Sequence, residues 1–277
     1  MLFSRLIPTK YRVKIECGRR LKKLQGSENL EKNVQEKGRF AGKRCFIVGN
    51  GPSVKHEDLS MLKNEIVFTV NDMYLYEQFS AMNTNYHLLF DPLYFSDIDN
   101  VIQKVNDKCA VPPTIVTSID GKEKMDGAVL PNDILCLQSG IDIDYLKHVG
   151  LDITRLLPYY CTVIQYALSL AIEMGFSQIY LLGCDCTGIQ NFIERKKGEM
   201  PTSYCFEMSK EDEARVSNST MLSSEHAFFE WYHIFKSYRL LNEVAKVRNV
   251  EIVDLTADGI LDVFAKNRLS NVLEVKS

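Results

Sequence analysis

Four short clusters of small and acidic residues each close an apolar run: Gly49-Asn50-Gly51-Pro52-Ser53, Asn71-Asp72, Asp91 and Asp185. In open α/β sheets, ligands collect at the carboxyl ends of the strands. Asn, Asp and Gly are also ordinary turn formers, so no single position decides the matter. Taken together, the four read as a nucleotide site. Gly49-x-Gly51 directly after a strand lets backbone N–H groups approach a phosphate or sugar closely. Pro52 and Ser53 follow where the dinucleotide fingerprint needs its third glycine, and no Gly-Lys-Ser/Thr completes a Walker loop. A standard NAD enzyme and a P-loop NTPase therefore do not fit.

Two histidines, His226 and His233, are seven residues apart and share one face of a predicted helix. Ser223 or Ser224 is the expected N-cap. The positive end of the helix dipole disfavours an imidazolium at His226, which suits a neutral general base. His233 lies among Trp231, Tyr232, Ile234 and Phe235 and reads equally as a core histidine or a functional one. No Ser/His/Asp or Cys/His order stands out, so acyl transfer has no support. Thr187 to Leu222 is poorly periodic, with eleven charged residues from Glu194 to Arg215. It leaves from Asp185 and returns at the histidine helix, which predicts a lid over the substrate (about 187–222), a disordered insertion being the alternative.

The elements that must position these groups alternate. Strands are predicted at Arg44–Val48, Glu65–Val70, Tyr86–Phe90, Thr114–Thr117, Ile134–Leu137, Gln178–Leu182 and Val250–Leu255. Helices are predicted at Thr162–Met174 and Glu225–Arg248. This order argues a Rossmann-like α/β fold, a doubly wound and mostly parallel sheet (a GT-A-like variant) with a lid insertion. The expected domain runs over 43–277, preceded by a basic leader and linker over 1–42, its polar stretch 25–41 being the linker.

With 277 residues, 45% hydrophobic, the chain can bury a large core without staples. Its net charge of −3 speaks against a general nucleic-acid binder. No apolar stretch reaches the roughly 20 residues that cross a bilayer. The eight cysteines contain no Cys-x-x-Cys, and Cys184-x-Cys186 alone is a weak metal signal. Without an export signal, the expected compartment is the reducing cytoplasm. Residues 1–23 carry eight basic side chains against Glu16, interleaved with apolar ones, and predict peripheral contact with the inner face of a membrane. The alternative is a solvated basic helix or a frayed terminus. The aromatic helix around Phe228, Phe229, Trp231, Tyr232 and Phe235 predicts a homo-oligomer.

Phe46–Ser53, Val70-Asn71, Phe90–Leu93 and Met174–Asp185 resemble, in this order, the family 42 bacterial sialyltransferases. They resemble still more closely the domain-of-unknown-function 115 group, which includes 6-hydroxymethylpterin diphosphokinases and bacterial proteins of surface-polysaccharide pathways; Ala257–Phe264 looks like that group too. The resemblance covers roughly 43–265. It implies that Gly49, Asn50, Gly51, Ser53 and Asn71 hold the cytidine monophosphate part of a donor, with Asp91, Thr162 and Asp185 at further matching positions; Asp72 joins the nucleotide site by its place at a strand end. It implies a catalytic histidine at His226 or His233. Three positions depart from the sialyltransferase pattern: Asp91 stands for an Asn, Val163 for a Ser, and Thr187 for a phosphate-contacting Tyr, for which Tyr204 in the lid could substitute.

The expectation is thus a glycosyltransferase that moves a sugar from a nucleotide-activated, CMP-linked donor to a glycan or glycolipid acceptor. No cofactor is required by this reading. Asp72, Asp91 and Asp185 could nevertheless hold Mg²⁺, and that would suit the first alternative, an ATP-dependent diphosphokinase of the 6-hydroxymethylpterin type. A non-catalytic nucleotide-binding protein of a glycan pathway is the second.

Overall fold

The computed structural model describes residues 15, 27–125, 130–197, 204–207 and 223–273. The leader expectation lies outside these residues except at Ile15, as do 198–203 and 208–222 of the predicted lid. Among the described residues no helix is long and apolar enough to cross a membrane.

Among the described residues ten strands form: β1 (Arg44–Val48), β2 (Val67–Val70), β3 (Thr84–Leu89), β4 (Thr114–Thr117), β5 (Ile134–Cys136), β6 (Gln138–Ile141), β7 (Leu156–Pro158), β8 (Gln178–Leu182), β9 (Glu251–Asp254) and β10 (Ala265–Lys266). Eight of them make one sheet in the order β10-β9-β8-β1-β2-β3-β4-β5, and β6 pairs with β7 separately. Every pairing is parallel. The chain runs outward from β1 to β5 and then returns to β8 on the other flank of β1. This reversal makes the β1/β8 boundary the switch point of a Rossmann-like α/β fold, where such sheets bind ligands.

Helices cover both faces. The main ones are α1 (Ser27–Glu31), α2 (Ile98–Asn106), α3 (Val163–Glu173), α4 (Gly188–Lys196) and α5 (Ser224–Val247). Alternation along β1 sends Cys45 and Ile47 into one core, with α3 and α5, and Phe46 and Val48 into the other, with α2 and a series of 3₁₀ turns. Residues 164–173 of α3 are all buried, so this helix is enclosed on every side, with Gln165, Ser169 and Glu173 as its buried polar members. It ends where Gly175 takes the left-handed conformation at φ 82°.

The sequence expectations need four corrections. Residues 27–41 of the expected linker are packed: α1 and a following 3₁₀ turn dock on the sheet edge, Leu30 packs against Ile119 and Cys136, and Asn33 donates to the carbonyls of Cys136 (2.7 Å) and Ile153 (2.8 Å). The first quarter of the predicted lid is the helix α4. Strands β6, β7 and β10 and helix α2 were not expected. Finally, β2 begins two residues later than predicted, while β3 begins two earlier and stops at Leu89.

At the amino ends of the strands an ion-pair network ties the layers together. Buried Glu173 pairs with Arg248 and with Lys37 at 3.4 Å, and Lys37 reaches Asp152 at 2.7 Å. Arg248 also donates to the Leu151 carbonyl at 2.8 Å.

Candidate functional site

The predicted positions gather at the carboxyl ends of β1, β2, β3 and β8 and at the start of α3. The ends of β1 and β8 interlock through backbone. Gly49 N–H donates to Leu182 O at 2.8 Å and Gly51 N–H to Gly183 O at 3.0 Å. A Cβ on Gly49 would lie 2.6 Å from Gly183 O; one on Gly51 would lie equally close to that oxygen and overlap the Asp185 carboxylate. The glycines are therefore demanded by loop-to-loop packing. Their N–H groups are spent inside the protein, which corrects the expectation that they approach a phosphate.

Asp185 clamps the same turn. It accepts from Ser53 N–H at 3.1 Å and from Ser53 Oγ at 2.8 Å. Burial pushes its carboxyl above the ordinary range, opposed by the two Ser53 hydrogen bonds. The loop after β9 closes over it: Ile260 N–H donates to Asp185 O at 2.9 Å, and Cys184 N–H to Thr256 Oγ1 at 3.0 Å.

The other aspartates also face partners. Tyr94 OH donates to Asp72 at 2.7 Å, and Asp91 accepts from Leu93 N–H at 2.9 Å as the cap of a 3₁₀ turn. Among the described residues no group of three His, Cys, Asp or Glu side chains could hold a metal ion. The expected convergence of Asp72, Asp91 and Asp185 on Mg²⁺ is not what the geometry provides, because each carboxylate is turned to a different loop partner: Tyr94, Leu93 N–H and Ser53 respectively.

Two side chains are different. The Oδ1 atoms of Asn50 and Asn71 are buried with no hydrogen-bond partner. Val48 pairs with Thr69 across β1 and β2, so the two asparagines follow register-matched strand ends. Asn71 also holds a left-handed backbone, at φ 45°. For a residue other than glycine such a conformation costs of order 1–3 kcal/mol and survives only where its surroundings impose it. Beneath it, His87 is fully buried, its Nδ1 2.7 Å from Thr69 Oγ1.

Part of the predicted lid is docked here. Cys205 N–H donates to Asn50 O at 2.9 Å, and Tyr204 stacks on Phe206 with centroids 5.4 Å apart. Tyr204 is thus brought to the glycine turn.

Helix α5 lies beside α3. Gln165 Nε2 donates to Ile234 O at 2.8 Å, and the hydroxyls of Thr162 and Tyr238 are 3.4 Å apart. Ser223 caps α5 as expected, accepting from His226 N–H at 3.1 Å. His226 is half-exposed, its Nε2 3.3 Å from Glu230. His233 is partly buried against the rings of Phe229 (4.3 Å) and Tyr232 (5.6 Å). Neither histidine bonds to a strand-end residue. Phe228, Phe229 and Tyr232 are exposed, whereas Trp231 and Phe235 pack on the core. Sequence reasoning missed Gln165, Tyr94 and Tyr238. All three stand in runs that read as core, and only a polar atom inside an apolar face could have marked them.

No protein-family model matches the chain, and no curated protein matches it. Solved structures do. A crystal structure of the sialyltransferase CstII in complex with CMP aligns at 19% identity over 81% of this chain and 85% of that one, with a TM-score of 0.51. A second, of CstII from Campylobacter jejuni with the substrate analogue CMP-3FNeuAc, has the same identity and coverage and a TM-score of 0.48. The MAf glycosyltransferase from Magnetospirillum magneticum AMB-1 aligns at 11% identity over 91% of this chain but 39% of its own, with a TM-score of 0.47. The first of these likenesses is one of fold.

Proposed function

We propose that this chain is a glycosyltransferase that takes a sugar from a CMP-linked donor and passes it to a hydroxyl of a glycan or glycolipid acceptor in surface polysaccharide synthesis. The observation that carries the reading is the pair of partnerless amide oxygens, Asn50 Oδ1 and Asn71 Oδ1, at adjacent strand ends beside the β1/β8 switch point. A buried acceptor left unpaired costs about 1–3 kcal/mol, so the pair calls for a ligand that brings donors. Ribose hydroxyls supply them. The fold likeness to a sialyltransferase bound to CMP supports the same choice.

In this reading Asn50, Asn71 and Thr162 contact the nucleotide. Gly49, Gly51, Ser53 and Asp185 hold the turn that presents Asn50, and Asp72 braces the loop after Asn71. Tyr204, stacked on Phe206, covers the phosphate side and keeps out water, which competes as acceptor. His233 is the general base. What favours it over His226 is its neighbour Ile234, which Gln165 ties to the first turn of α3. His226 lies seven residues away, about 10 Å along the helix, in its exposed first turn. His233 removes the acceptor proton as the hydroxyl oxygen attacks the anomeric carbon, and CMP leaves with the bonding electrons.

A thermal-shift titration with CMP, CDP, UDP, GDP and ATP, each with and without Mg²⁺, tests the donor. At 100 times its dissociation constant a ligand stabilises by about 2.7 kcal/mol, a shift of several degrees. CMP should act without metal. A response confined to ATP with Mg²⁺ would overturn the reading in favour of the diphosphokinase. His233→Ala should abolish CMP release from a donor while leaving CMP affinity nearly intact; full activity in that variant removes His233 from the mechanism.

A further inference from the structure

Thr162 is the N-cap residue of α3, with φ −135° and ψ 147°, the extended backbone from which a threonine hydroxyl ordinarily accepts an N–H of the first helical turn. It makes no such bond. Its hydroxyl faces Tyr238 OH at 3.4 Å instead. Tyr238 is 1% exposed, and its ring meets Phe264 edge-on at 5.9 Å. One turn earlier on α5, the Gln165–Ile234 bond fixes the register of the two helices. The phenol is therefore immobile, and Thr162 is turned toward it.

A helix leaves its first N–H groups without partners inside the helix. In α3 the Gln165 N–H reaches Thr162 O at 3.2 Å, which leaves those of Val163 and Ile164. A threonine cap would tie down this turn and place an oxygen over the positive end of the helix dipole, where an anion would otherwise sit.

We propose that Tyr238 is a positioning residue: by engaging the Thr162 hydroxyl it keeps the first turn of α3 uncapped, so that the Val163 and Ile164 amides stay open to an anionic group of the ligand. That group is the donor phosphate, so this part of the inference rests on the proposed function. Tyr238 touches no reacting atom and acts through Thr162.

The test compares wild type, Tyr238→Phe, Thr162→Ala and the double variant, by calorimetric titration with CMP and with cytidine and by melting temperature without ligand. Phenylalanine keeps the ring and its packing on Phe264. Tyr238→Phe should weaken CMP about fivefold to tenfold, the scale of one hydrogen bond, and leave cytidine unchanged. Freed to cap the helix, Thr162 should raise the melting temperature by about 1–3 °C. In the Thr162→Ala background neither effect should appear. Equal weakening of CMP and cytidine, or the same loss in both backgrounds, would reduce Tyr238 to packing and overturn the proposal. If wild type binds neither ligand, the donor reading fails by itself. The melting temperatures then still decide the helix-cap half: a rise that Thr162→Ala cancels upholds it, and no rise ends it.

Discussion

At the amino ends of the strands, Glu173 takes Arg248 on one oxygen and Lys37 on the other, Lys37 continues to Asp152, and Asn33 spends its amide on two carbonyls. At the carboxyl ends, Asn50 and Asn71 bury oxygens that nothing answers, and of the four left-handed non-glycine residues among those described, three (Asn71, Cys186 and Asp258) lie there. Both ends are built from the same strands and bury comparable polar groups. One answers most of them internally, Thr84 Oγ1 at the start of β3 being an exception, and gains cohesion. The other forgoes some of that satisfaction, as a surface prepared for a ligand must.

The contrast can be broken most forcefully where the two kinds of design meet, at Gly51. Gly51→Ala puts a Cβ into the Asp185 carboxylate and against Gly183 O, both fixed by other bonds. A loss of at least about 3–4 kcal/mol is expected, enough to prevent folding at 37 °C. A melting curve like that of wild type would mean that the interlock can yield.

Next comes acid. Burial holds the His87 imidazole at about 3, against about 6.5 for a free histidine. Above pH 6.5 neither folded nor unfolded chain carries the proton, so His87 costs nothing. Below it the unfolded chain gains a proton that the folded one refuses, and stability falls by about 1.4 kcal/mol per pH unit until roughly pH 3. Denaturant titrations at pH 7, 6 and 5 should give His87→Gln a correspondingly shallower fall. Parallel slopes would assign the acid sensitivity to other groups.

Glu173→Gln attacks the opposite end. It removes the charge shared by Arg248 and Lys37, and because both bases are partly solvated the expected loss is about 2 kcal/mol, below that of a fully buried pair. CMP affinity per folded molecule should not change, since the network lies across the sheet from the site. A matching loss of affinity would show the two ends to be coupled.

The smallest effect is the most telling. Asn71→Gly relieves the left-handed backbone and deletes the orphaned oxygen. The unliganded protein should hold its stability or gain up to about 1 kcal/mol, while CMP binding weakens at least about tenfold. Opposite signs in the two measurements are what a ligand-directed residue gives. A simple loss of stability would make Asn71 an ordinary turn residue.

Much of the sheet was legible because parallel strands buried on both faces read as short apolar runs: Arg44–Val48, Thr114–Thr117 and Gln178–Leu182 were bounded to the residue. What stayed hidden had weak composition. Strand β6, Gln138-Ser139-Gly140-Ile141, is mostly polar or small, and α1 with the 3₁₀ turn after it is anchored by Leu30 and Asn33 in a polar stretch. At the site, residue types marked positions that the fold gathers at the strand ends but not what holds each of them there. Gly51 and Asp185 read as ligand contacts, and each proved to brace the other's loop, because a turn that presents Asn50 must itself be held by something distant in sequence. Tyr238 was invisible for the opposite reason, as a polar atom on a face otherwise fit for core.

The sheet stops at β10, two residues long, on one side and at β5, three residues long, on the other. Asn33 takes the Cys136 carbonyl at the end of β5. Edges this short and this occupied offer little template for a second chain to add a strand, which is how open sheets resist aggregation. The α1 segment is thus a guard as well as an anchor. A chain beginning at residue 43 would keep every strand of the sheet and expose the border it needs covered, so its first failing would be self-association.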